Sequence, residues 1–455
     1  MLTTPRQIAF EALQQIEFEG AYVNLITPEL LSRAHLNHRD AGFVTELVHG
    51  TVRMQRFYDA VIDQLSSRPT ADIDPDIVLV LRLGIHQLLS MRVSDHAAVD
   101  ESVHLAHQIS HAGTAKFVNA LLRNVVRNGD IDYWKDRVRS HARTSEAIGK
   151  VTSHPDWIVR AYRDTFAFYG LTDDVETALQ VNNMSPYIHL VARPGLTDRE
   201  SLADSAEEIL DCHVAYTPLS PYGIIISSGD PARLPAIQDT AAAVQDQGSQ
   251  LVARIFAETF LEGEDAHWLD LCAGPGGKTA LAAAIAGTDK HITAVELHPH
   301  RADLIEKTCK NLPNVTTKCA DGITVRSDRL YDRILIDAPC SGLGTMNRRA
   351  DVRWKTERSD IAFLVRTQQE LLDHACDLVR PGGRIVYSTC TPHLSETVDV
   401  VRNLHRFDMV IEDARQLAQS IGIDKDQLAG QTDFIQLWPH RNGCEAMFCA
   451  VLTKK

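Results

Sequence analysis

Asp270-Leu-Cys-Ala-Gly-Pro-Gly-Gly-Lys-Thr279 decides how this chain of 455 residues folds. It overlaps the end of a strand-like run, His267–Cys272, and leads into a helical one, Ala280–Ala286. Glycines in such a turn let the backbone come close to a ligand, and the helix that follows offers free N–H groups at its N-terminus. A P-loop requires G-x-x-x-x-G-K-[ST]; Gly277-Lys278-Thr279 fits its end, but Cys272 stands where the first glycine belongs. A dinucleotide fingerprint requires G-x-G-x-x-G; Gly274 and Gly276 fit, but Thr279 replaces the last glycine. Both fail by one residue.

The remaining ligand class is a nucleoside bearing an amino acid, such as S-adenosylmethionine, which has no pyrophosphate to cradle. It calls for an acid at the end of the second strand to grip the ribose. Glu296 lies 22 residues after Gly274, at the end of the strand-like His291–Glu296. Asp321 follows the third candidate strand, Val315–Cys319, where it could accept the adenine amino group. Further strands are expected at Tyr331–Ala338 and Arg384–Thr389. Phe434–Trp438 and Ala446–Leu452 flank Asn442-Gly443 and read as an antiparallel hairpin. Strands alternating with helices specify an α/β sheet, here spanning residues 240–455.

Two cysteines stand just past the ends of consecutive strands, in Asp337-Ala-Pro-Cys340-Ser-Gly and Ser388-Thr-Cys390. Ligands of open α/β sheets bind at the carboxyl ends of the strands, so both thiols are placed toward the cofactor edge. Thiol, carboxyl and methyl donor together suit methylation of an unactivated ring carbon. Addition of a thiolate to C6 of cytosine makes C5 an enamine carbon. A carboxyl at N3 assists as electrons move onto that nitrogen, and a base must then remove the C5 proton. The residues do not decide which thiol attacks.

The first ~130 residues read as all-helical, and Asp130–Ser153, polar, charged and rich in Arg, reads as a linker or an exposed helix. Ile8, Ala12, Leu13 and Ile16 share a helix face that Pro5 can start. Ile77–Leu89 is apolar nearly all round and belongs at the centre of a bundle. Residues 150–235 mix helices with short strands and read as a small, acidic α+β domain. The nine cysteines are an odd number with no C-x-x-C, so reduced thiols in the cytoplasm are expected, without a disulfide framework. No apolar run is long enough for a membrane span and no signal peptide is visible. The net charge of −14 argues against a polyanionic partner, but Lys116–Arg143 holds seven basic and three acidic residues.

DLCAGPGGKT, DAPCSGLG and YSTC, in this order, resemble the RNA cytosine-5 methyltransferase family. Arg6-Gln-Ile-Ala-Phe-Glu-Ala-Leu13 and Glu46-Leu-Val-His-Gly-Thr-Val52 resemble the NusB RNA-binding fold. The resemblance covers nearly the whole chain. It implies a NusB-like helical RNA-binding domain (1–135), a small α+β connecting domain (150–235) and a Rossmann-like class I methyltransferase domain (240–455). S-adenosylmethionine would lie on Cys272, Ala273, Gly274, Pro275, Gly276, Gly277 and Lys278. Glu296 would hold the ribose and Asp321 the adenine, with Asp337 beside cofactor and base. The same resemblance makes Cys390 the nucleophile and Cys340 the residue that assists release. It implies small-subunit ribosomal RNA as partner, a monomer, and no metal or membrane. Transfer RNA as substrate and a non-catalytic RNA-binding assembly factor are the alternatives. The chain departs from the family after Cys390, where Thr391-Pro-His-Leu-Ser-Glu396 replaces the usual Pro-Glu-Glu-Asn run and Glu396 keeps its place. It departs again at Glu445-Ala-Met-Phe448, where the family has Asp-Gly-Phe-Phe.

Two further clusters carry expectations. Arg348, Arg349, Arg353, Lys355 and Arg358 surround Trp354 close behind the Cys340 loop, and suit either a flipped base with its phosphates or a solvated helix start with a packed Trp. His104, His107 and His111 fall on one face if a single helix carries them, most simply as ordinary surface residues.

Overall fold

The computed structural model describes residues 4–139 and 143–455. The chain divides into two compact units. One takes Met1–Arg160, Asp174–Met184 and Met346–Lys355; the other takes Ala161–Asp173, Ser185–Thr345 and Thr356–Lys455.

The first unit is helical. Its leading helices are α1 (Pro5–Phe18), α2 (Val23–Ala34), α3 (His38–Leu65), α4 (Pro75–Leu89), α5 (Asp95–Ile109) and α6 (Ala112–Asn128). α1 starts where its sequence directs: Thr4 and Gln7 form a reciprocal capping box and Pro5 occupies the first turn. α4 is the buried centre, with Ile77 to Gln87 all withdrawn from solvent. Arg82 is tolerated there because Asp59 takes it in a two-pronged ion pair, 2.7 and 2.8 Å. The polar stretch after Gly129 also folds, into Ile131–Arg139 and Ser145–Thr152. Trp134 is fully buried there and donates its indole N–H to the Val125 carbonyl, 3.3 Å.

The histidine expectation needs correction. α5 ends at Ile109, and His111 is the cap residue of α6, its Nδ1 accepting the Thr114 N–H at 3.3 Å. The three imidazoles do not share one helix.

The basic run behind Cys340 is corrected too. Met346–Lys355 belongs to the helical unit, where Ala350 and Trp354 join the core. Arg353 is fully buried and donates to the Ser153 carbonyl (3.1 Å), the Asn182 carbonyl (3.2 Å) and Asn183 Oδ1 (2.6 Å). Trp354 Nε1 donates to the Val52 carbonyl at 2.8 Å, and Lys355 Nζ to the Gly20 carbonyl at 2.7 Å. These three side chains hold protein, leaving Arg349 and Arg358 as the solvent-exposed charges.

The second unit carries two sheets. The small one is antiparallel, built from β1 (Ile188–Ala192), β2 (Val214–Tyr216), β3 (Gly223–Ile226) and β4 (Ala242–Val244) in the order β2-β3-β1-β4. The helix Arg199–Leu210 covers one face through Leu202, Ala206 and Leu210. The large sheet uses β5 (His267–Asp270), β6 (His291–Glu296), β7 (Val315–Cys319), β8 (Tyr331–Asp337), β9 (Val379–Thr389), β10 (Met409–Glu412), β11 (Ile435–Gln436) and β12 (Phe448–Lys454). Its order is β10-β12-β9-β8-β5-β6-β7, with β11 paired to β12. β5 to β9 are mutually parallel; β12 runs antiparallel to β9, β10 and β11. This is a Rossmann-like arrangement, with Ile334, Leu335 and Ile336 buried in succession as a central parallel strand requires.

Three details differ from the sequence reading. β9 begins at Val379, because a register shift opposite Tyr331/Arg333 accommodates Arg380 to Gly383, with Gly382 at φ +72°. The expected hairpin is antiparallel, but its connection holds the short helix Pro439–Asn442, closed by Gly443 at φ +62°. β10 was not anticipated; its burial does not alternate, its adjacent Val410 and Ile411 both being exposed. Among the described residues no helix is long and apolar enough to cross a membrane, and no three metal-ligating side chains cluster.

Candidate active site

The cofactor loop is shaped by its neighbours. Leu271 and Ala273 donate to the Leu335 and Val295 carbonyls, both at 2.9 Å, extending β5 between β8 and β6. The Gly274–Pro275 bond is cis. A Cβ on Gly274 would stand 2.2 Å from Glu296 Oε2 and 3.0 Å from Arg301 Nε, so only glycine fits. Gly276 has φ +102° and opens the helix Gly277–Ala286, and a Cβ there would meet the Ile305 backbone at 3.1 Å. Arg301 Nη2 donates to the Gly274 carbonyl at 2.5 Å and fixes the turn from outside.

Glu296 is buried at the end of β6. Its Oε1 accepts the His298 N–H at 3.0 Å, and its Oε2 faces Arg301 at 3.6 Å. Asp321 is exposed two residues beyond β7, and one of its oxygens accepts the Ile323 N–H at 2.9 Å.

β8 and β9 end in register, Asp337 opposite Ser388. Asp337 accepts the Lys278 ammonium at 2.7 Å on one oxygen and the Ser388 hydroxyl at 3.0 Å on the other. Burial works to lower the Lys278 pKa, but the Asp337 charge and hydrogen bond outweigh it and raise the value, so the ammonium stays charged. Cys340 and Cys390 approach to 3.4 Å between sulfurs. The hydrogen bond to Cys390, reinforced by burial, pushes the Cys340 thiol well up, so Cys340 stands as the neutral partner. Cys390 is held through its backbone: its carbonyl accepts the Gly344 N–H at 2.9 Å, and the Gly344 carbonyl accepts the Ala446 N–H at 3.1 Å. A Cβ on Gly344 would lie 2.3 Å from the Ala446 carbonyl oxygen.

Cys272, also in the loop, has its thiol pushed well up by burial and neighbouring carboxylates; it packs and does not attack. Asp270, fully buried behind it, is pushed up to about 7 by burial, against the Thr279 hydroxyl it accepts at 2.7 Å. The structure thus brings Lys278, Asp337, Cys340 and Cys390 together, and places Gly274 against Glu296.

Glu396 was noticed in the sequence only as a position matching the family. Its fully buried carboxylate accepts from the Ser341 amide (2.7 Å), the Ser341 hydroxyl (2.5 Å), Gln368 Nε2 (3.2 Å) and the Thr391 hydroxyl (3.3 Å). Its place six residues after Cys390 was the available signal; its partners Gln368 and Ser341, 28 and 55 residues away, were not. Asp246 was missed altogether. It is buried, and it accepts the N–H of Glu445 at 3.2 Å and that of Gly248 at 2.8 Å.

Comparison with known proteins follows the same lines. Residues 259–453 match the family model described as 16S rRNA methyltransferase RsmB/F, and residues 3–127 match the NusB family. The probable ribosomal RNA small subunit methyltransferase B of Bacillus subtilis (strain 168) is 30% identical over 469 residues, covering 100% of this chain and 99% of the relative. The chain belongs to the RsmB/F methyltransferase family. A Mycobacterium tuberculosis (strain ATCC 25618 / H37Rv) protein with a methyltransferase name is similar at 40% identity over 460 residues, 100% of this chain and 97% of that one. The crystal structure of PH0851 has the same fold, with a TM-score of 0.76 at 19% identity over 98% of this chain and 97% of that one.

RsmB/F membership makes this an S-adenosylmethionine-dependent RNA methyltransferase. The loop fits that cofactor in that Gly274 brings the backbone directly against the buried Glu296 carboxylate.

Proposed function

We propose that this RsmB/F enzyme methylates C5 of a cytosine in small-subunit ribosomal RNA through a covalent cysteine adduct. The paired thiols 3.4 Å apart, beside the Lys278–Asp337 pair, carry this reading. Cys272 to Lys278 hold S-adenosylmethionine, with Glu296 at its ribose and Asp321 at its adenine. The bound cofactor supplies an electrophilic methyl group.

The chain's own residues do the rest. Cys390 adds as thiolate to C6 of the base, and its proton leaves to solvent or to a nearby base. As the ring accepts electrons, N3 takes up a proton from solvent, and Asp337 holds it there by accepting its hydrogen bond. Once C5 bears the methyl group, its proton must go. With Cys390 bonded to C6, the hydrogen bond that kept Cys340 neutral is gone. Cys340 gives its proton to solvent, takes the C5 proton, and the C5–H electrons form the C5–C6 double bond and expel the Cys390 sulfur as thiolate. The helical unit contributes RNA affinity, and Lys116, Arg123 and Arg127 on α6 face solvent unopposed by any acid on that helix.

The experiment is transfer of labelled methyl to protein-free small-subunit RNA, followed by digestion to nucleosides. Label in 5-methylcytidine is the expected result. Label in any other nucleoside refutes the C5 mechanism, and label only with transfer RNA moves the substrate.

A further inference from the structure

The two thiols come from different loops, and the ties between those loops converge on one side chain. Ser341, immediately after Cys340, gives both its amide and its hydroxyl to Glu396. Thr391, immediately after Cys390, gives its hydroxyl to the same carboxylate, and the Ser341 and Thr391 hydroxyl oxygens lie 3.0 Å apart. On the other side of Cys340, the Pro339 carbonyl accepts Gln368 Nε2 at 2.8 Å, and that nitrogen also donates to Glu396. Both flanks of Cys340 are therefore held by groups that lean on Glu396. The Gly344 contact to the Cys390 carbonyl is four residues further on and does not fix the Cys340 flanks.

We propose that Glu396 is the positioning residue of the thiol pair, setting the sulfur–sulfur approach that addition and release both need. It touches neither sulfur. All its partners donate to it, and the Ser341 backbone amide can do nothing else, so an acceptor is what the site requires. Burial raises its pKa, while the four donors oppose that. Such a clamp restricts two loops at the ends of adjacent strands without placing a charge where the base must lie. The proposal rests on the thiol chemistry assigned above.

The test therefore uses the full chain without RNA. Diamide oxidises a close thiol pair: one thiolate adds to its N=N bond, and the second sulfur displaces the hydrazine to give a disulfide. The Cys340–Cys390 disulfide is quantified by peptide mass spectrometry after alkylation of the remaining thiols. Glu396→Ala should form it about tenfold more slowly than the wild type, because small displacements of positioned groups are costly. Glu396→Gln keeps an oxygen for the Ser341 amide and should restore the rate to within about threefold. Affinity for S-adenosylmethionine should be unchanged in both. With RNA present, Glu396→Ala should lower kcat with little change in KM for the cofactor. Thr391→Val removes one donor at constant shape and serves if Glu396→Ala does not fold; it should also slow the oxidation. A wild-type rate in Glu396→Ala, or in Thr391→Val where it serves, overturns the proposal. The oxidation needs neither RNA nor methyl transfer. Absence of RNA methylation by the wild type would therefore overturn the proposed function and leave the clamp to be judged by the disulfide rate.

Discussion

Gly274 and Gly277 lie three residues apart in the cofactor loop, and the same substitution should have opposite consequences at the two. At Gly274 a new Cβ would be 2.2 Å from Glu296 Oε2. Ordinary non-bonded contact is about 3.5 Å, so the carboxylate must retreat by more than about 1 Å. That breaks its 3.0 Å bond from the His298 N–H and leaves a buried carboxylate short of a donor. Losing a hydrogen bond to a buried charged group costs about 1–3 kcal/mol, and the retreating group is the one proposed to grip the ribose. Gly274→Ala should therefore weaken S-adenosylmethionine binding by about 5- to 150-fold. At Gly277 the nearest atom to a new Cβ is Gln245 Cδ at 3.9 Å, ordinary contact, and the residue is the first of a helix. Gly277→Ala should leave affinity within about twofold and raise the melting temperature slightly, because alanine favours a helix interior by roughly 0.5–1 kcal/mol and the first position by less. Isothermal titration of both variants with S-adenosylmethionine and with S-adenosylhomocysteine reads the effect. Equal losses at the two positions, or none at Gly274, would refute the placement of Glu296 at the cofactor.

Cys390→Ala should abolish methyl transfer at unchanged cofactor affinity, whereas Cys340→Ala should accumulate an RNA–protein adduct that survives detergent; electrophoresis of both with labelled RNA separates them. Asp270 gives a pH prediction. Its folded pKa, about 7, lies above the unfolded value, so the folded state holds the proton more tightly. The contribution to stability is full below about pH 4 and is lost as pH rises through about 7. Asp270→Asn, which keeps an acceptor for Thr279, should therefore raise the melting temperature at pH 8 and change it little at about pH 4. Arg353→Met should cost the helical unit roughly 3 kcal/mol or more, since several buried acceptors lose their donor together. Denaturation followed by Trp fluorescence measures it, and an unshifted midpoint would contradict the packing described.

Much of the site was legible because it is written locally. Gly276 announces a turn that favours glycine, and Glu296, Asp337 and Cys390 sit at or just beyond strand ends, where the strand pattern places them. Lys278 was legible as part of the loop, but its ion pair with Asp337, 59 residues away, was not. The basic run around Trp354 misled for a similar reason. Arg353 looks like a phosphate ligand until the carbonyls that satisfy it are seen, and those come from three separate stretches of chain. Glu396 shows the limit most clearly: its role lies in four donors, none of which the spacing of the sequence could reveal.

The decapeptide Met346–Lys355 also sets a timetable. A ribosome that has released the first 160 residues has made nearly all of the helical unit, yet Ala350 and Trp354 of its core are still untranslated. Asp351, which accepts the Val23 N–H of α2 at 3.2 Å, arrives 328 residues late. The nascent bundle must wait with that site open while β1 to β8 are synthesised. A stop codon placed between the two units would leave an incomplete object, and expression of residues 1–160 alone should give a looser, protease-sensitive bundle that a supplied 346–355 peptide tightens.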